Sequence, residues 1–135
     1  MKKTGIINAP ISAVLATLGH TDTLVIADAG LPIPPETERI DLALKPNLPG
    51  FLETVQVILT EMEVEGAIIA DEMRENSPQT YQGLVEMLPN IPIQTVSHVE
   101  FKQHLPAARA VIRTGEFTSY ANVILISGVW GFQGK

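Results

Sequence analysis

Five short runs of mainly apolar residues, four to six residues long, are the feature that most constrains the fold of this chain. They are continuous rather than alternating, which is typical of parallel strands buried on both faces of a sheet. None approaches the ~20 apolar residues that a membrane-spanning helix needs. The runs are Thr23–Ala27, Ala67–Ala70, Ile93–Val96, Ala110–Arg113 and Asn122–Ser127.

Segments with helical spacing of apolar residues separate these runs, and their ends carry recognisable signals. We predict a first helix that is capped by Asn8 and terminated by Gly19, and a second that starts near Phe51. Ser77 and Ser97 are the expected caps of two more helices. The alternation predicts an α/β fold with three layers, in which helices flank a mostly parallel central sheet.

The composition indicates one compact domain, residues 1–135, with no linker or repeat. The chain has no cysteine, which excludes disulfides and thiolate chemistry. Its net charge of -6 and scattered basic residues argue against nucleic acid and anionic membranes as partners. Lys2 and Lys3 resemble the start of a signal peptide, but Asn8, Pro10 and Ser12 follow before an apolar region can build up, so we expect a cytoplasmic protein.

Polar residues follow the ends of the predicted strands. Asp28 follows the first run, Asp71 and Glu72 follow the second, His98 follows the third, and residues 114–116 follow the fourth. Because ligands usually bind beyond the carboxyl ends of such strands, we expect these groups to share one edge of the sheet. Each of them singly is also compatible with an ordinary exposed loop residue.

Two of the three histidines lie at opposite kinds of helix end, one after a carboxyl end and one at an amino end. His20 comes just after a predicted helix carboxyl end, where the helix dipole favours an imidazolium. His98 lies in a predicted first turn, where the dipole favours the neutral ring. Such a pair can supply acid and base chemistry near neutral pH. The alternatives are that His20 caps helix carbonyls and that His98 faces water; we expect His104 at the surface.

Common cofactor motifs are missing from the sequence. It has no glycine-rich dinucleotide fingerprint, no phosphate-binding loop and no serine elbow, so no cofactor is predicted. A zinc or manganese site formed by His20, Asp22, Asp28 and His98 stays open, although their spacing is not diagnostic.

The segment before the last strand combines an aromatic ring with an amide. Tyr120 and Asn122 offer the flat apolar surface and the hydrogen-bonding groups that a sugar needs, although a tyrosine here can also serve packing alone. The apolar tail with Trp130 is a candidate for contact with a neighbouring subunit.

Taken together, five segments in this order resemble the D-ribose pyranase family, which includes the related fucose mutarotases. The likeness covers nearly the whole chain, except for the tail after Ile126. Gly30-Leu31-Pro32 resembles the ribose branch, since fucose enzymes tend to carry Asn-Phe-Pro there. The segments are Gly19-His20-Thr21-Asp22, Ala27-Asp28-Ala29-Gly30-Leu31-Pro32, Leu44-Lys45-Pro46, Arg113-Thr114-Gly115-Glu116 and Tyr120-Ala121-Asn122.

The resemblance implies a site and an assembly. It implies His20 as the proton donor and D-ribose as the small-molecule partner; we predict no metal and no cofactor. It also implies a ring-shaped homo-oligomer, a decamer of two stacked pentamers, with sites near subunit contacts. The implied sugar-binding residues are Asp28, His98, Tyr120, Ala121 and Asn122.

The function we expect is interconversion of the β-pyranose and β-furanose forms of D-ribose. Protonated His20 would donate to the ring oxygen, while Asp28 orients the sugar hydroxyls. Three alternatives stay open: a fucose-type mutarotase, a non-catalytic sugar-binding accessory of a ribose transport system, and a metal-dependent hydrolase or lyase.

Overall fold

The structure, a computed structural model, describes residues 1–131 and has a six-stranded sheet at its centre. The spatial order of the strands is β2-β5-β1-β6-β3-β4. The strands are β1 (Thr23–Ala27), β2 (Arg39–Asp41), β3 (Val64–Ala70), β4 (Ile93–Val96), β5 (Ala110–Arg113) and β6 (Val123–Ser127).

Within residues 1–131, one α-helix precedes the first strand, and four further α-helices and a 3-10 turn lie between later strands. None of the helices within residues 1–131 is both long and apolar enough to cross a membrane. The elements are α1 (Ala9–Thr17), α2 (Phe51–Leu59), α3 (Asp71–Asn76), α4 (Pro78–Met87), α5 (His98–Gln103) and the 3-10 turn Leu105–Ala107.

The sheet is mostly parallel, as the sequence predicts. β5 runs parallel to both β1 and β2, and β3 runs parallel to β4. The exception is β6, which pairs antiparallel with β1 on one side and β3 on the other. The carboxyl ends of β1 to β5 therefore share one edge of the sheet with the start of β6.

Both faces of the sheet are buried, which explains why the strand sequences are continuously apolar. In β1, Leu24 and Ile26 pack into one core, while Val25 and Ala27 pack into the other. The first core lies under α1, α2 and α4, and the second lies under α5 and the 3-10 turn. The predicted three-layer α/β arrangement is confirmed.

The ends of α1 show one correct and one wrong prediction. Asn8 caps the helix through its side chain, which accepts from the Ile11 N–H at 2.9 Å. The helix then ends at Thr17 with Leu18 extended, and Gly19 is not its left-handed terminator. The left-handed residue is Thr21, at φ 71°, because the carboxylate of Asp22 accepts from the Gly19 N–H and closes a turn beyond the helix.

The sequence also misplaces the start of the helical segment after β3. The chain enters α3 directly at Asp71, whereas the sequence predicted a helix only from Ser77 onward. Ser77 stands at the start of α4, but its side chain does not cap that helix. Its hydroxyl donates instead to the Ser119 carbonyl at 2.6 Å, which ties α4 to the segment before β6.

The segment after β5 is fixed by Glu116 and by a close backbone approach at Gly115. The Glu116 carboxylate accepts from the Phe51 N–H at the start of α2 at 2.8 Å, and from the Thr118 hydroxyl at 2.6 Å. A Cβ on Gly115 would lie 2.5 Å from the Leu48 carbonyl oxygen, so only glycine fits there. Burial raises the pKa of Glu116, but these hydrogen bonds outweigh it and hold that pKa below the ordinary 4.5.

We predict that Glu116→Gln lowers the free energy of unfolding near neutral pH by about 1 kcal/mol, because charge-assisted hydrogen bonds at a partly exposed site are lost. A lowered carboxyl pKa stabilises the fold above its unfolded value, and this stabilisation is lost as the pH falls through the folded value. The difference between the two proteins should therefore shrink below about pH 4.5. Urea unfolding across pH, with the exposed Glu36→Gln as a control, tests this; a difference that persists at low pH contradicts it.

Candidate active site

A cavity of about 490 Å³ opens at the carboxyl edge of the sheet. Residues 28–32, His98, Arg113 and residues 116–120 line it. These segments follow β1, begin α5, end β5 and precede β6, so every one comes from the edge that the strand directions create. The cavity therefore occupies the usual ligand position of an open α/β sheet.

Asp28 is held in the cavity wall by Asn122, its neighbour across the β1–β6 pair. The Asp28 N–H donates to the Asn122 side-chain oxygen at 2.8 Å, and the Asn122 amide nitrogen donates to the Asp28 carboxylate at 3.2 Å. The second carboxylate oxygen accepts from the Gly30 N–H at 3.0 Å. One carboxylate is thus fixed in position at the mouth of the cavity.

Burial raises the pKa of Asp28 above its ordinary value of 3.8. The hydrogen bonds from Gly30 and Asn122 and the nearby charge of His98 act in the opposite direction, but burial outweighs them. Asp28 is therefore protonated more readily than an exposed aspartate.

His98 is positioned through its backbone. Its N–H donates to both carboxylate oxygens of Glu72, at 3.0 and 3.2 Å, and Ser97 caps α5 through the Glu100 N–H. The His98 ring meets the Tyr120 ring edge-on, with centroids 5.0 Å apart. Its Nδ1 atom is buried and has no hydrogen-bond partner in the described part of the chain.

The remaining wall carries hydroxyl groups and a guanidinium. Thr118, Ser119 and Tyr120 supply the hydroxyls, and Tyr120 adopts a left-handed backbone at φ 61°, which is uncommon for a bulky residue. Arg113 binds the Ala29 carbonyl through Nε at 3.0 Å and Asp41 through its terminal nitrogen at 3.1 Å. Fixed donors and acceptors beside aromatic rings suit a small ligand with many hydroxyl groups.

The structure brings together three of the predicted sugar-binding side chains, Asp28, His98 and Tyr120. Ala121 and Asn122 lie behind them and are almost fully buried, so within one chain the Asn122 amide contacts Asp28 rather than open space. Of the other residues expected at this edge, Glu116 lines the cavity and Glu72 supports His98.

His20 lies at the opposite edge of the sheet. It precedes β1 whereas Asp28 follows it, and a five-residue strand spans roughly 16 Å. Its ring neither caps α1 nor enters the cavity; Nε2 instead lies 2.8 and 2.9 Å from the two carboxylate oxygens of Glu65. One chain therefore does not place His20 beside Asp28.

The metal site considered from the sequence does not form within one chain. His20 and Asp22 lie at one edge of the sheet, and Asp28 and His98 lie at the other. Among residues 1–131, no three histidine or carboxylate side chains are grouped so that they could hold a metal ion.

The sequence patterns around single residues did not identify several residues that the structure places in the cavity or next to His20. Arg113 and Phe117 line the cavity, and Glu65 is the partner of His20. Arg113 lies in one of the motifs of the family resemblance, which is a usable signal. Glu65 carries a weaker signal, as a charged residue near the start of an apolar strand.

Known proteins are similar in sequence to this chain along nearly its full length. A sequence model of the RbsD / FucU transport protein family matches residues 1–130. D-ribose pyranase from Laribacter hongkongensis is 59% identical over 129 residues, covering 96% of this chain and 98% of that protein.

Solved structures share its fold. Bacillus subtilis RbsD complexed with D-ribose superposes with a TM-score of 0.93 at 50% identity, covering 96% of this chain and 98% of that chain. The fucose mutarotase from Streptococcus pneumoniae, in complex with L-fucose, superposes with a TM-score of 0.75 at 24% identity, covering 91% and 94%. The second likeness extends to the fold alone.

A family match over residues 1–130 and a relative at 59% identity agree with the cavity geometry and with the motifs around it. This chain belongs to the RbsD / FucU family.

Proposed function

We propose that this chain is an isomerase that interconverts the β-pyranose and β-furanose forms of D-ribose by ring opening and reclosure. The observation that carries the proposal is the cavity at the carboxyl edge. It combines a fixed carboxylate, an imidazole and several hydroxyls in the same fold as a relative that binds D-ribose. The reaction moves only protons and one carbon–oxygen bond, so it requires no redox cofactor.

Ribose is favoured over fucose as the substrate. The structure with D-ribose is 50% identical to this chain, whereas the fucose mutarotase with L-fucose is 24% identical. The cavity wall also carries Gly30-Leu31-Pro32, the segment that resembles the ribose branch. A fucose-type activity is the second candidate.

The cavity residues contribute different contacts to sugar binding, according to their chemistry. The Asp28 carboxylate accepts hydrogen bonds from sugar hydroxyls, and Asn122 keeps it in place. His98 and Tyr120 offer aromatic surface and polar edges to the sugar ring. Ala121, whose side chain is buried, can contact a sugar only through its backbone.

We also propose that His20 of a second copy completes the site. His20 is exposed at one edge of the sheet and the cavity is open at the other, so contact between those two edges of neighbouring chains brings the acid to the sugar. Exposed apolar side chains flank the cavity: Leu44, Val99 and Phe117 are 78%, 64% and 65% exposed. Such a patch favours burial by another subunit.

Head-to-tail contact of this kind closes into a ring when the rotation between neighbours permits it. The family resemblance suggests two stacked pentamers, so we expect a particle mass near ten times the 14.6 kDa of one chain. The notion that the apolar tail with Trp130 contacts a neighbouring subunit stays a prediction. The structure describes this tail up to residue 131, and residues 132–135 lie outside the described part.

In the reaction, protonated His20 gives a proton to the ring oxygen as the bond between that oxygen and the anomeric carbon breaks. The anomeric hydroxyl loses its proton to water, which leaves an open-chain aldehyde. A different hydroxyl then attacks the aldehyde carbon and passes its proton to neutral His20, while the new anomeric oxygen regains a proton. One positioned acid contributes about 10²–10⁴-fold, which suffices because the uncatalysed ring opening is already fairly quick.

We predict that His20→Ala lowers the exchange rate constant at saturating ribose by about 10²-fold or more, with ribose affinity largely retained. Saturation-transfer NMR between the two ring forms measures this, and the exposed His104→Ala is the matched control. Undiminished exchange in the His20 variant would exclude it as the acid. Ribose binding without accelerated exchange by the unmutated protein would support a transport accessory instead.

We predict that Asn122→Ala weakens ribose binding more than it slows exchange at saturating ribose, because it releases the carboxylate that orients the sugar. Calorimetric titration with ribose, alongside the NMR rates, separates the two effects. Unchanged affinity in a correctly folded variant would contradict this role.

We predict that ribose affinity falls on acidification at a higher pH than an exposed aspartate would cause, because burial raises the pKa of Asp28 from 3.8 and the protonated carboxyl accepts fewer hydrogen bonds. The affinity of Asp28→Asn should be lower and nearly independent of pH over the same range. Titrations at successive pH values test this, and constant affinity of the unmutated protein down to about pH 4 would contradict it.

A further inference from the structure

The ring of His20 has one partner in the described chain, and that partner is a carboxylate. Glu65, near the start of β3, places both of its oxygens within 2.9 Å of Nε2. No other hydrogen bond to this ring forms within residues 1–131. The proton transfers of the proposed reaction do not themselves use Glu65.

The chemistry of the two groups decides which ring nitrogen carries the shared proton. An ionised carboxylate can only accept hydrogen bonds, so Nε2 must be the donor. Nε2 is then occupied in both the protonated and the neutral ring. Nδ1 is left as the nitrogen that can give up a proton and take one back.

The backbone around His20 is fixed as well. The Asp22 N–H donates to the Gly19 carbonyl at 3.1 Å, and the Thr21 N–H donates to the Ser127 carbonyl at 2.9 Å. The turn therefore fixes the backbone of His20, and Glu65 on β3 fixes its ring.

Other charged groups near this turn have different partners. The Asp22 carboxylate accepts from the Gly19 N–H and lies 3.8 Å from Arg109. Glu63, two residues before Glu65, is also engaged in an interaction, and its carboxylate is not the one within hydrogen-bond distance of the His20 ring. Glu65 is the group that reaches the imidazole.

We propose that Glu65 is a positioning residue for His20, and that it orients the ring so that Nδ1 is the atom that exchanges the proton with the sugar. The proposal rests on the proposed role of His20 as the acid. It adds a residue to the reaction and names the reacting nitrogen.

The proton movements balance with this assignment. Nδ1–H of the imidazolium protonates the ring oxygen as the carbon–oxygen bond breaks, and water takes the proton of the anomeric hydroxyl. The neutral ring keeps its Nε2–H on Glu65. Nδ1 then accepts the proton of the attacking hydroxyl, water returns a proton to the anomeric oxygen, and the imidazolium is restored.

The first test compares Glu65→Gln with His20→Ala and with the exposed Glu36→Gln as a charge-matched control, all in the full chain. We expect Glu65→Gln to lower the exchange rate at saturating ribose about tenfold, less than removal of the acid itself, and to leave the ribose KM unchanged. Glu36→Gln should behave as the unmutated protein does.

The second test is ¹⁵N NMR of protein with labelled histidine, titrated with D-ribose, with the His20 signals assigned through the His20→Ala variant. We expect ribose to shift the Nδ1 resonance of His20 and to leave Nε2 nearly unmoved. A purely structural role for Glu65 would not select between these nitrogens.

The outcomes separate this proposal from the function it rests on. If His20→Ala abolishes acceleration while Glu65→Gln exchanges at the normal rate, the role of Glu65 is wrong and the acid stands. A ribose-dependent shift at Nε2 alone overturns the assignment of Nδ1. Normal exchange in His20→Ala would overturn both the acid and its positioning residue.

Discussion

The paired hydrogen bonds between Asp28 and Asn122 are the interaction on which the cavity depends. They join the end of β1 to the start of β6, and this is possible only because β6 runs antiparallel to β1. An antiparallel neighbour delivers its first residues to the edge where parallel strands deliver their last. The segment before β6, including Tyr120, therefore faces the loop after β1, and partial burial of the Asp28 carboxylate between them raises its pKa.

The same sheet separates the cavity from His20, the proposed acid. β1 has His20 before it and Asp28 after it, so the length of one strand lies between His20 and the cavity. A single chain holds a prepared binding surface at one edge and a prepared imidazole, paired with Glu65, at the other. In the assembly proposed above, contact between copies would remove this separation without any change of fold.

Much of the fold could be predicted because burial on both faces makes the strands continuously apolar, and the five runs match five of the strands closely. The direction of β6 could not be predicted, because the apolar pattern of a buried strand is the same whether the strand runs parallel or antiparallel to its neighbours. Ser77 was misjudged because its hydroxyl has a long-range partner, Ser119. Asp28, His98 and Tyr120 were found as neighbours of strand ends, whereas Glu65 contacts His20 across 45 residues of sequence. The expectation that His20 and Asp28 belong to one site came from the family resemblance and not from the geometry of one chain.

The most direct test of a site divided between copies is to mix two defective variants in one assembly. His20→Ala keeps the cavity and lacks the acid, while Asp28→Ala keeps the acid and lacks the fixed carboxylate. Each variant alone should fail to accelerate exchange between the ring forms of D-ribose. If sites form between chains, co-expressed and copurified mixed assemblies should recover part of the activity, because some cavities then meet an intact His20. Activity no greater than the sum of the separate variants, in assemblies shown to contain both chains, would contradict the account.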